Sequence, residues 1–150
     1  INIIDTPGFD DFVGEMVSAL RVADTCVMVI NAQNGVEVGT ELIWNYVDRF
    51  KKPIIFAVNQ VDHPKSDFDA TLASLKNSYG NAVTQMQYPV NHGENFDSII
   101  DLLKMVMYKF PSEGGKPEKL AIPPEEMETA NKLHNELVER DSCTDCRIGL

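Results

Sequence analysis

The first 60 residues contain three short apolar runs separated by two segments with helical periodicity, and this alternation constrains the fold most. The runs lie at residues 1–5, 26–30 and 54–58 and are rich in β-branched side chains, which predicts buried strands. The run at 26–30 is continuously apolar and should be buried on both faces. Apolar positions at helical spacing predict helices over 11–21 and 40–50. Strands that alternate with helices indicate a parallel α/β sheet with right-handed crossovers.

Beyond Asp62 the pattern becomes less regular, and we predict an appended half that begins near residues 62–66. Gly80 should end a helix over 68–79, because glycine readily adopts the backbone conformation of a helix C-cap. The other elements expected there are an alternating strand over 83–90, a turn over 91–95, a helix over 96–103, either a strand or a continuation of that helix over 104–108, a loop over 111–117 and a helix over 124–140.

Composition and charge argue against several classes of protein. A chain of 150 residues can form one modest domain with a real core. Its net charge of −10 argues against a general nucleic-acid binder, since such proteins are usually basic over the contacting face. No apolar run reaches the roughly 18–20 residues of a membrane span, and no secretory signal opens the sequence. The three cysteines are an odd number and Cys26 lies within an apolar run, which favours a reducing cytoplasm.

Asp5, Thr6, Pro7 and Gly8 follow the first apolar run and form an Asp-x-x-Gly motif. Ligands of open α/β sheets bind at the carboxyl ends of the strands, where this motif is predicted to lie. In nucleotide-driven switch proteins such a motif places a carboxylate near Mg²⁺ and a glycine N–H against a terminal phosphate. The alternative is a capped turn in which Asp5 accepts backbone N–H groups, and the motif alone does not decide between the two.

Asn59, Gln60, Val61 and Asp62 follow the third apolar run and resemble the Asn-Lys-x-Asp box with which GTPases read guanine. A carboxylate there can accept hydrogen bonds from the ring N1–H and the exocyclic amine of guanine, a donor pair that adenine does not offer. Gln60 stands in the place of the lysine, so its stem can still cover the base but carries no charge. The alternative is an Asx turn after a strand, and the presence of both motifs favours the guanine interpretation.

The sequence through Asp62 resembles the nucleotide-binding domain of elongation factor G, a translational GTPase. Ribosomal-protection proteins of the tetracycline-resistance type share most of these stretches, so the superfamily is better defined than the member. The matching stretches beyond the two motifs are residues 11–12, 18–24, 34–37 and 40–41, and residues 96–105 and 124–140 resemble the insert that elongation factor G carries within this domain.

The resemblance implies an α/β fold with an incomplete P-loop GTPase-like parallel sheet, flanking helices and an appended α+β insert. Residues 1–63 would be the central part of the GTPase domain, 64–141 its remainder and the insert, and 142–150 an irregular tail. The family's phosphate-binding loop and its strand, which lies between the first two strands predicted here, are absent from this sequence. We therefore expect a gap in the sheet and no tight GTP binding by this chain alone.

The resemblance also implies roles for individual residues. Asp5, Thr6, Pro7 and Gly8 would contact GTP or GDP, with Asp5 holding Mg²⁺ through water and the Gly8 N–H touching the γ-phosphate. Asn59, Gln60 and Asp62 would bind the guanine base. The helix after Gly8 would be a switch that γ-phosphate orders and hydrolysis releases. The implied partner is the ribosome, with no membrane and no sequence-specific nucleic acid, and the implied location is the cytoplasm.

Phe9 departs from the family, which has histidine at this position to orient the attacking water. A phenyl ring offers neither a donor nor an acceptor, so no certain catalytic residue can be assigned. We expect the parent protein to bind GTP and hydrolyse it slowly, or not as its working step. The alternatives are rescue of hydrolysis by another group, a ribosomal-protection type of factor, and a GTP-binding switch with little catalysis.

Four further features are predicted to be structural. Cys143 and Cys146 form an isolated Cys-x-x-Cys pair in the tail, which is too few ligands for a metal site. Trp44 is predicted to pack within its helix layer rather than stack on a ligand. The acids of the last helix should form a solvated face, and the three histidines, His63, His92 and His134, are predicted to be solvated surface residues.

Overall fold

The computed structural model describes residues 1–8, 10–80, 83–112, 114–141 and 148–149. These residues form a parallel α/β layer followed by an antiparallel sheet with a long helix. The elements in chain order are α1 (Val13–Val22), β1 (Cys26–Asn31), α2 (Val38–Arg49), β2 (Ile54–Asn59), α3 (Phe68–Tyr79), β3 (Gln87–Pro89), β4 (Ser98–Asp101), β5 (Val106–Lys109), β6 (Glu118–Leu120), α4 (Pro124–Asp141) and β7 (Ile148–Gly149), with short 3₁₀ turns at Asp10–Phe12 and Gly93–Asn95.

The first sheet has the order β1-β2-β7 and is parallel throughout. β1 and β2 pair from Cys26 with Ile54 to Asn31 with Asn59, so both strands end at the same edge. α2 connects them as a crossover helix. The predicted α/β fold with a parallel sheet and flanking helices is confirmed. β7 lies in the segment predicted to be an irregular tail, and Cys143 and Cys146 lie outside the described residues.

The core of this layer occupies one face of the sheet. Met28 and Ile30 on β1 are buried with apolar residues from all three of α1, α2 and α3. Val27 and Val29 point to the opposite face and are 60% and 64% exposed. The prediction that residues 26–30 are buried on both faces is therefore wrong. A continuous apolar run reveals the strand, but burial of its second face requires a covering element that the described residues do not supply.

Residues 1–5 do not form the predicted strand. They have no regular secondary structure, and Ile1, Ile3 and Ile4 are exposed. β1 is the edge strand of its sheet among the described residues, and its free edge carries no neighbour there. A strand forms only where another backbone can pair its N–H and C=O groups, so an apolar, β-branched sequence is not sufficient.

The second sheet is antiparallel in the order β3-β4-β5-β6, and α4 packs against it. Ile100 and Leu102 are fully buried there, together with Ala130 and Leu137 of α4. The prediction of a helix over 96–103 is wrong, because residues 98–101 are β4 and pair with β3 and β5. Pairing on both sides outweighs the local helical spacing of these side chains.

Several boundaries predicted from sequence are confirmed. α3 begins at Phe68 with Asp67 as its N-cap, whose side chain accepts the Ala70 N–H at 2.9 Å, and it ends at Gly80 with φ +68°. α4 begins at the predicted Pro124. The strand predicted over 83–90 is reduced to Gln87–Pro89, and β6 was not predicted. α3 contributes Leu75 to the core of the parallel layer.

Candidate functional site

The box Asn59–Asp62 lies at the carboxyl end of β2, where a ligand of a parallel sheet is expected. Asn59, Gln60 and Asp62 are all exposed, so their side chains are accessible to a ligand. The carbonyl of Asn59 accepts the Ala32 N–H at 3.0 Å, which extends the register of β1 and β2 by one bond. The backbone of Asn59, the first residue of the box, is therefore held at the edge of the sheet.

Gln60 is held by the loop that follows β1. Its Oε1 accepts a hydrogen bond from the Asn31 side-chain amide at 3.0 Å and a longer one from the Gln33 amide at 3.4 Å. Asn31 Oδ1 in turn accepts the Gln33 backbone N–H at 2.8 Å. Gln60 has φ +60°, a left-handed conformation that is uncommon outside glycine. The uncharged Gln60 thus fills the lysine position of the box as an acceptor bonded to its neighbours.

The loop after β1 is fixed from beneath by α3. The hydroxyl of Thr71 donates to the Ala32 carbonyl at 3.1 Å, and Ser74 Oγ accepts the Val36 N–H at 3.3 Å. Gly35 has φ +65°, and a Cβ at this position would meet the Ser74 side chain at 3.3 Å. The tight approach of α3 therefore requires a glycine here. The loop that bonds Gln60 is therefore itself held in place by α3.

The other side of the box contacts residues that follow it in the chain. The Val61 carbonyl, between Gln60 and Asp62, accepts the Ser66 hydroxyl at 2.8 Å and the Gly93 N–H at 2.7 Å. Gly93 N–H also lies 3.1 Å from Ser66 Oγ. Two donors thus converge on one backbone oxygen within the box.

The Asp-x-x-Gly segment lies beside the helices rather than at the end of a strand. Asp5, Pro7 and Gly8 are exposed and Thr6 is half-buried. Pro7 and Gly8 line a shallow cavity with residues at the starts of α1 and α2, namely Phe12, Val13, Met16, Gly39, Leu42 and Ile43. Phe9 lies outside the described residues. In the described part of the chain, no hydrogen bond joins this segment to the box at Asn59–Asp62.

A bound magnesium ion fits Asp5 only in part. No group of three or more histidine, cysteine, aspartate or glutamate side chains with metal-binding spacing occurs among the described residues. Mg²⁺ commonly keeps several waters and binds one or two carboxylates together with substrate phosphates. One exposed carboxylate at Asp5 is compatible with that donor set and could not hold the ion alone.

Two residues of this region were missed from sequence. Asn31 follows the apolar run at 26–30 just as Asn59 follows the run at 54–58, so the same reasoning about strand ends would have found it. Ser66 had no such signal, because its contact with Gly93 joins residues 27 positions apart.

Two predictions about structural residues have different outcomes. Trp44 stacks on Tyr79 with ring centroids 4.2 Å apart, in agreement with a packing role. His134 is half-buried and its Nδ1 lies 2.8 Å from the Leu102 carbonyl, so the prediction of a solvated histidine is wrong for this residue. Helical spacing alone did not show that α4 packs this side chain against the turn after β4.

A parallel α/β layer with polar side chains at the carboxyl ends of β1 and β2 defines an open-sheet ligand-binding domain. The elongation factor Tu GTP binding domain family matches residues 1–131, and the chain belongs to that family. The guanine interpretation of the chain as a whole is therefore supported at the level of the family. The roles of individual residues stay predictions.

Known relatives agree with this assignment. The chain is 35% identical over 141 residues to an elongation factor G-like protein of Thermotoga maritima. The matched region covers 94% of the chain and 20% of that protein. It is 37% identical over 150 residues to elongation factor G 1 of Treponema denticola. That match covers 99% of the chain and 22% of the relative. A crystal structure of a Thermus thermophilus protein matches with TM-score 0.80 and 30% identity, over 94% of the chain and 21% of that structure.

The chain thus spans about a fifth of the length of these relatives. Within the described ranges, none of its helices combines the length and hydropathy needed to cross a membrane.

Proposed function

We propose that this chain is the switch and base-reading part of a GTP-dependent factor of the elongation factor G type, which acts on the ribosome in translocation or a related step. The observation that carries the proposal is the accessible box at the end of β2, held in place by Asn31 through Gln60. Family membership supplies the nucleotide class. A cytoplasmic location follows from a ribosomal partner.

In this proposal Asp62 reads guanine. Its exposed carboxylate would accept from the ring N1–H and the exocyclic amine, and an adenine base would leave it without donors. Asn59 would connect the box to the neighbouring loop, since its carbonyl already receives the Ala32 N–H. Gln60 would lie along the base through its aliphatic stem, while its Oε1 is occupied by Asn31.

The segment Asp5–Gly8 would contact the phosphates. The Asp5 carboxylate would bind Mg²⁺ through water, and the ion would neutralise phosphate charge when it is bound. Gly8 would offer its N–H to the γ-phosphate, with Thr6 and Pro7 shaping the approach. Pro7 and Gly8 line a cavity with the first turns of α1 and α2, so a change at the phosphate would reach both helices.

Phe9 supports slow hydrolysis. A phenyl ring cannot orient a water, and loss of a positioned acid or base typically costs about 10²–10⁴-fold in rate. The parent protein would then act through GTP binding more than through turnover. The alternatives are a ribosomal-protection type of factor and a GTP-binding switch with little catalysis, and Phe9 favours the switch.

Exchange of Asp62 for Asn tests the base-reading role. In the full-length protein that carries this chain, Asp62→Asn should weaken GDP binding and improve binding of xanthosine diphosphate, because an amide complements the xanthine edge. Asp69→Asn, an equally exposed aspartate on α3, is the matched control and should change neither affinity. GDP binding that is unaffected by Asp62→Asn would contradict the proposal.

Exchange of Phe9 for His tests the hydrolysis claim. Single-turnover GTP hydrolysis on ribosomes should be slow in the wild type and rise by about 10²-fold or more in Phe9→His. The control is Phe110→His, an exposed phenylalanine just after β5 and outside the proposed site, which should leave the rate unchanged. Fast hydrolysis by the wild type would show that another group orients the water.

A further inference from the structure

The backbone between Gln60 and Asp62 is held by the half of the chain that follows it. The Val61 carbonyl receives the Ser66 hydroxyl at 2.8 Å and the Gly93 N–H at 2.7 Å. The Ser66 backbone N–H also donates to the His63 carbonyl at 2.8 Å, which closes the turn after the box. The orientation of the peptide next to Asp62 is therefore fixed by two donors and a tight turn.

Burial raises the energetic cost of breaking these hydrogen bonds. Ser66 exposes only 7% of its surface, and Gly93 is buried as well. Buried donors and acceptors that lose a partner incur the full cost of desolvation, so this arrangement resists rearrangement. Asp62 itself stays exposed at the surface above it. A rigid, buried support beneath an accessible carboxylate is the arrangement expected of a preorganised binding residue.

Gly93 brings the antiparallel half into the same contact. It lies in the 3₁₀ turn between β3 and β4 and has φ +72°, which glycine adopts without strain. A Cβ there would meet the His63 carbonyl at 3.7 Å, so the turn lies directly against the loop after the box. The Phe96 N–H donates to the Gly93 carbonyl at 3.0 Å and carries the connection toward β4.

We propose that Ser66 is a positioning residue for the base-reading box, and that the Ser66–Val61–Gly93 hydrogen bonds couple guanine binding to the antiparallel sheet. The inference rests on the proposed function, because it assigns a support to the residue that reads the base. Ser66 does not touch the nucleotide. It acts through the Val61 peptide, which sets the direction of Asp62.

Coupling of this kind is reciprocal. If guanine binding favours one orientation of the Val61 peptide, it also favours the bonds from Ser66 and Gly93. A bound nucleotide should then protect the Gly93 amide from exchange, although the base contacts a different loop. Conversely, loss of the Ser66 hydroxyl should weaken the interactions that depend on the direction of the Asp62 carboxylate.

The discriminating measurement compares GDP with inosine diphosphate, which lacks the exocyclic amine. The full-length protein that carries this chain is titrated with both nucleotides as wild type and as Ser66→Ala. Removal of the hydroxyl should reduce the preference for GDP over inosine diphosphate by about fivefold, a size expected for one hydrogen bond. A general loss of stability would lower both affinities equally and leave the ratio unchanged.

Ser98→Ala is the matched control. Ser98 is 4% exposed and lies on β4, but its hydroxyl donates to Asp97 and makes no bond to the box. It should leave the GDP preference at the wild-type value. Ser66→Thr, which keeps a hydroxyl, should retain most of the preference that Ser66→Ala loses.

A second measurement uses the wild type alone and does not depend on a variant that folds. Hydrogen exchange of the Gly93 amide should slow at least about fivefold on GDP binding. An unchanged Gly93 exchange rate, or an unchanged nucleotide ratio in Ser66→Ala, overturns this inference and leaves the base-reading role intact. A wild type with no preference for guanine overturns the proposed function, and this inference with it.

Discussion

The side-chain amide of Asn31 donates a hydrogen bond of 3.0 Å to Oε1 of Gln60, and this bond joins the ends of β1 and β2. The two residues stand at equivalent places, each just where a parallel strand gives way to a loop. Gln60 has φ +60°, a conformation that costs about 1 kcal/mol outside glycine and persists only where the surroundings hold it. Asn31 is one of the groups that hold it.

Loss of the Asn31 side chain should therefore destabilise the chain. Asn31→Ala removes the bond to Gln60 and the acceptor for the Gln33 N–H. We expect a decrease of about 1–2 kcal/mol in the free energy of unfolding, measured by urea denaturation. Asn34→Ala is the control, because Asn34 is exposed in the same loop and, within the described part of the chain, its side chain bonds the Glu37 carboxylate alone. Equal effects of the two substitutions would contradict the role given to Asn31.

Removal of the hydroxyl should change the free energy of unfolding in opposite directions at Tyr79 and Tyr88. Tyr79 Oη is buried without a hydrogen-bond partner among the described residues, and its ring stacks against both Trp44 and Phe56, which also stack on each other. Tyr79→Phe keeps the stack and removes the unsatisfied group, so it should raise the free energy of unfolding by about 1 kcal/mol. A decrease would show that the hydroxyl has a partner.

Tyr88 provides the comparison. Its hydroxyl donates to the Glu126 carboxylate at 3.0 Å and ties β3 to α4, and burial together with Glu126 raises its pKa. Tyr88→Phe should cost about 1.5 kcal/mol, because a bond to a charged group is lost. Thermal unfolding of both variants beside the wild type measures the two signs in one experiment.

Alkaline pH tests Tyr79 independently. Burial, with a smaller effect of Glu41, raises the pKa of Tyr79 from 10.0 to about 12. The unfolded chain releases this proton first. Ionisation of Tyr79 therefore leaves the free energy of unfolding unchanged below pH 10 and lowers it as pH rises toward 12. Between these values Tyr79→Phe should lose stability less steeply than the wild type. Parallel curves would contradict the raised pKa.

The box at Asn59–Asp62 could be predicted from sequence because it is contiguous and follows an apolar run, so strand and site are read from one stretch. The same holds for the end of α3, where Gly80 is a local signal. The support of the box could not be predicted, because Ser66 and Gly93 are 27 positions apart in the sequence. No local pattern specifies such a contact.

Two secondary-structure predictions, a strand over residues 1–5 and a helix over 96–103, failed for a related reason. Residues 1–5 have the composition of a strand but no neighbouring backbone to pair with among the described residues. Residues 98–101 have helical spacing, yet β3 and β5 pair with them on both sides. Propensity describes what a segment can adopt, whereas the available hydrogen-bond partners decide what it does adopt.

Asp97 should confer a pH dependence at the acid end. The Ser98 hydroxyl at 2.7 Å and then the Lys109 ammonium at 3.2 Å lower the pKa of Asp97 from its ordinary 3.8. The unfolded chain therefore takes up this proton first as pH falls. The stabilisation is present above pH 3.8 and is lost as pH falls through the lower folded pKa. Asp97→Asn should differ from the wild type by at most about 0.5 kcal/mol at pH 7, since the pair is exposed to solvent. A difference that persists at pH values well below the folded pKa would contradict this assignment.

Adjacent residues of β1 should differ sharply in their tolerance of substitution. Ile30 is 2% exposed and packs in the core with the helices, whereas Val29 is 64% exposed on the opposite face. In this 150-residue chain Ile30→Ala should cost about 3 kcal/mol, because it leaves a cavity in a packed core. Val29→Ala should cost under about 0.5 kcal/mol, because its side chain already lies in water. Equilibrium urea unfolding of the two variants measures the contrast. A large loss for Val29→Ala would mean that the second face of the sheet is covered, and the one-sided core described here would then be wrong.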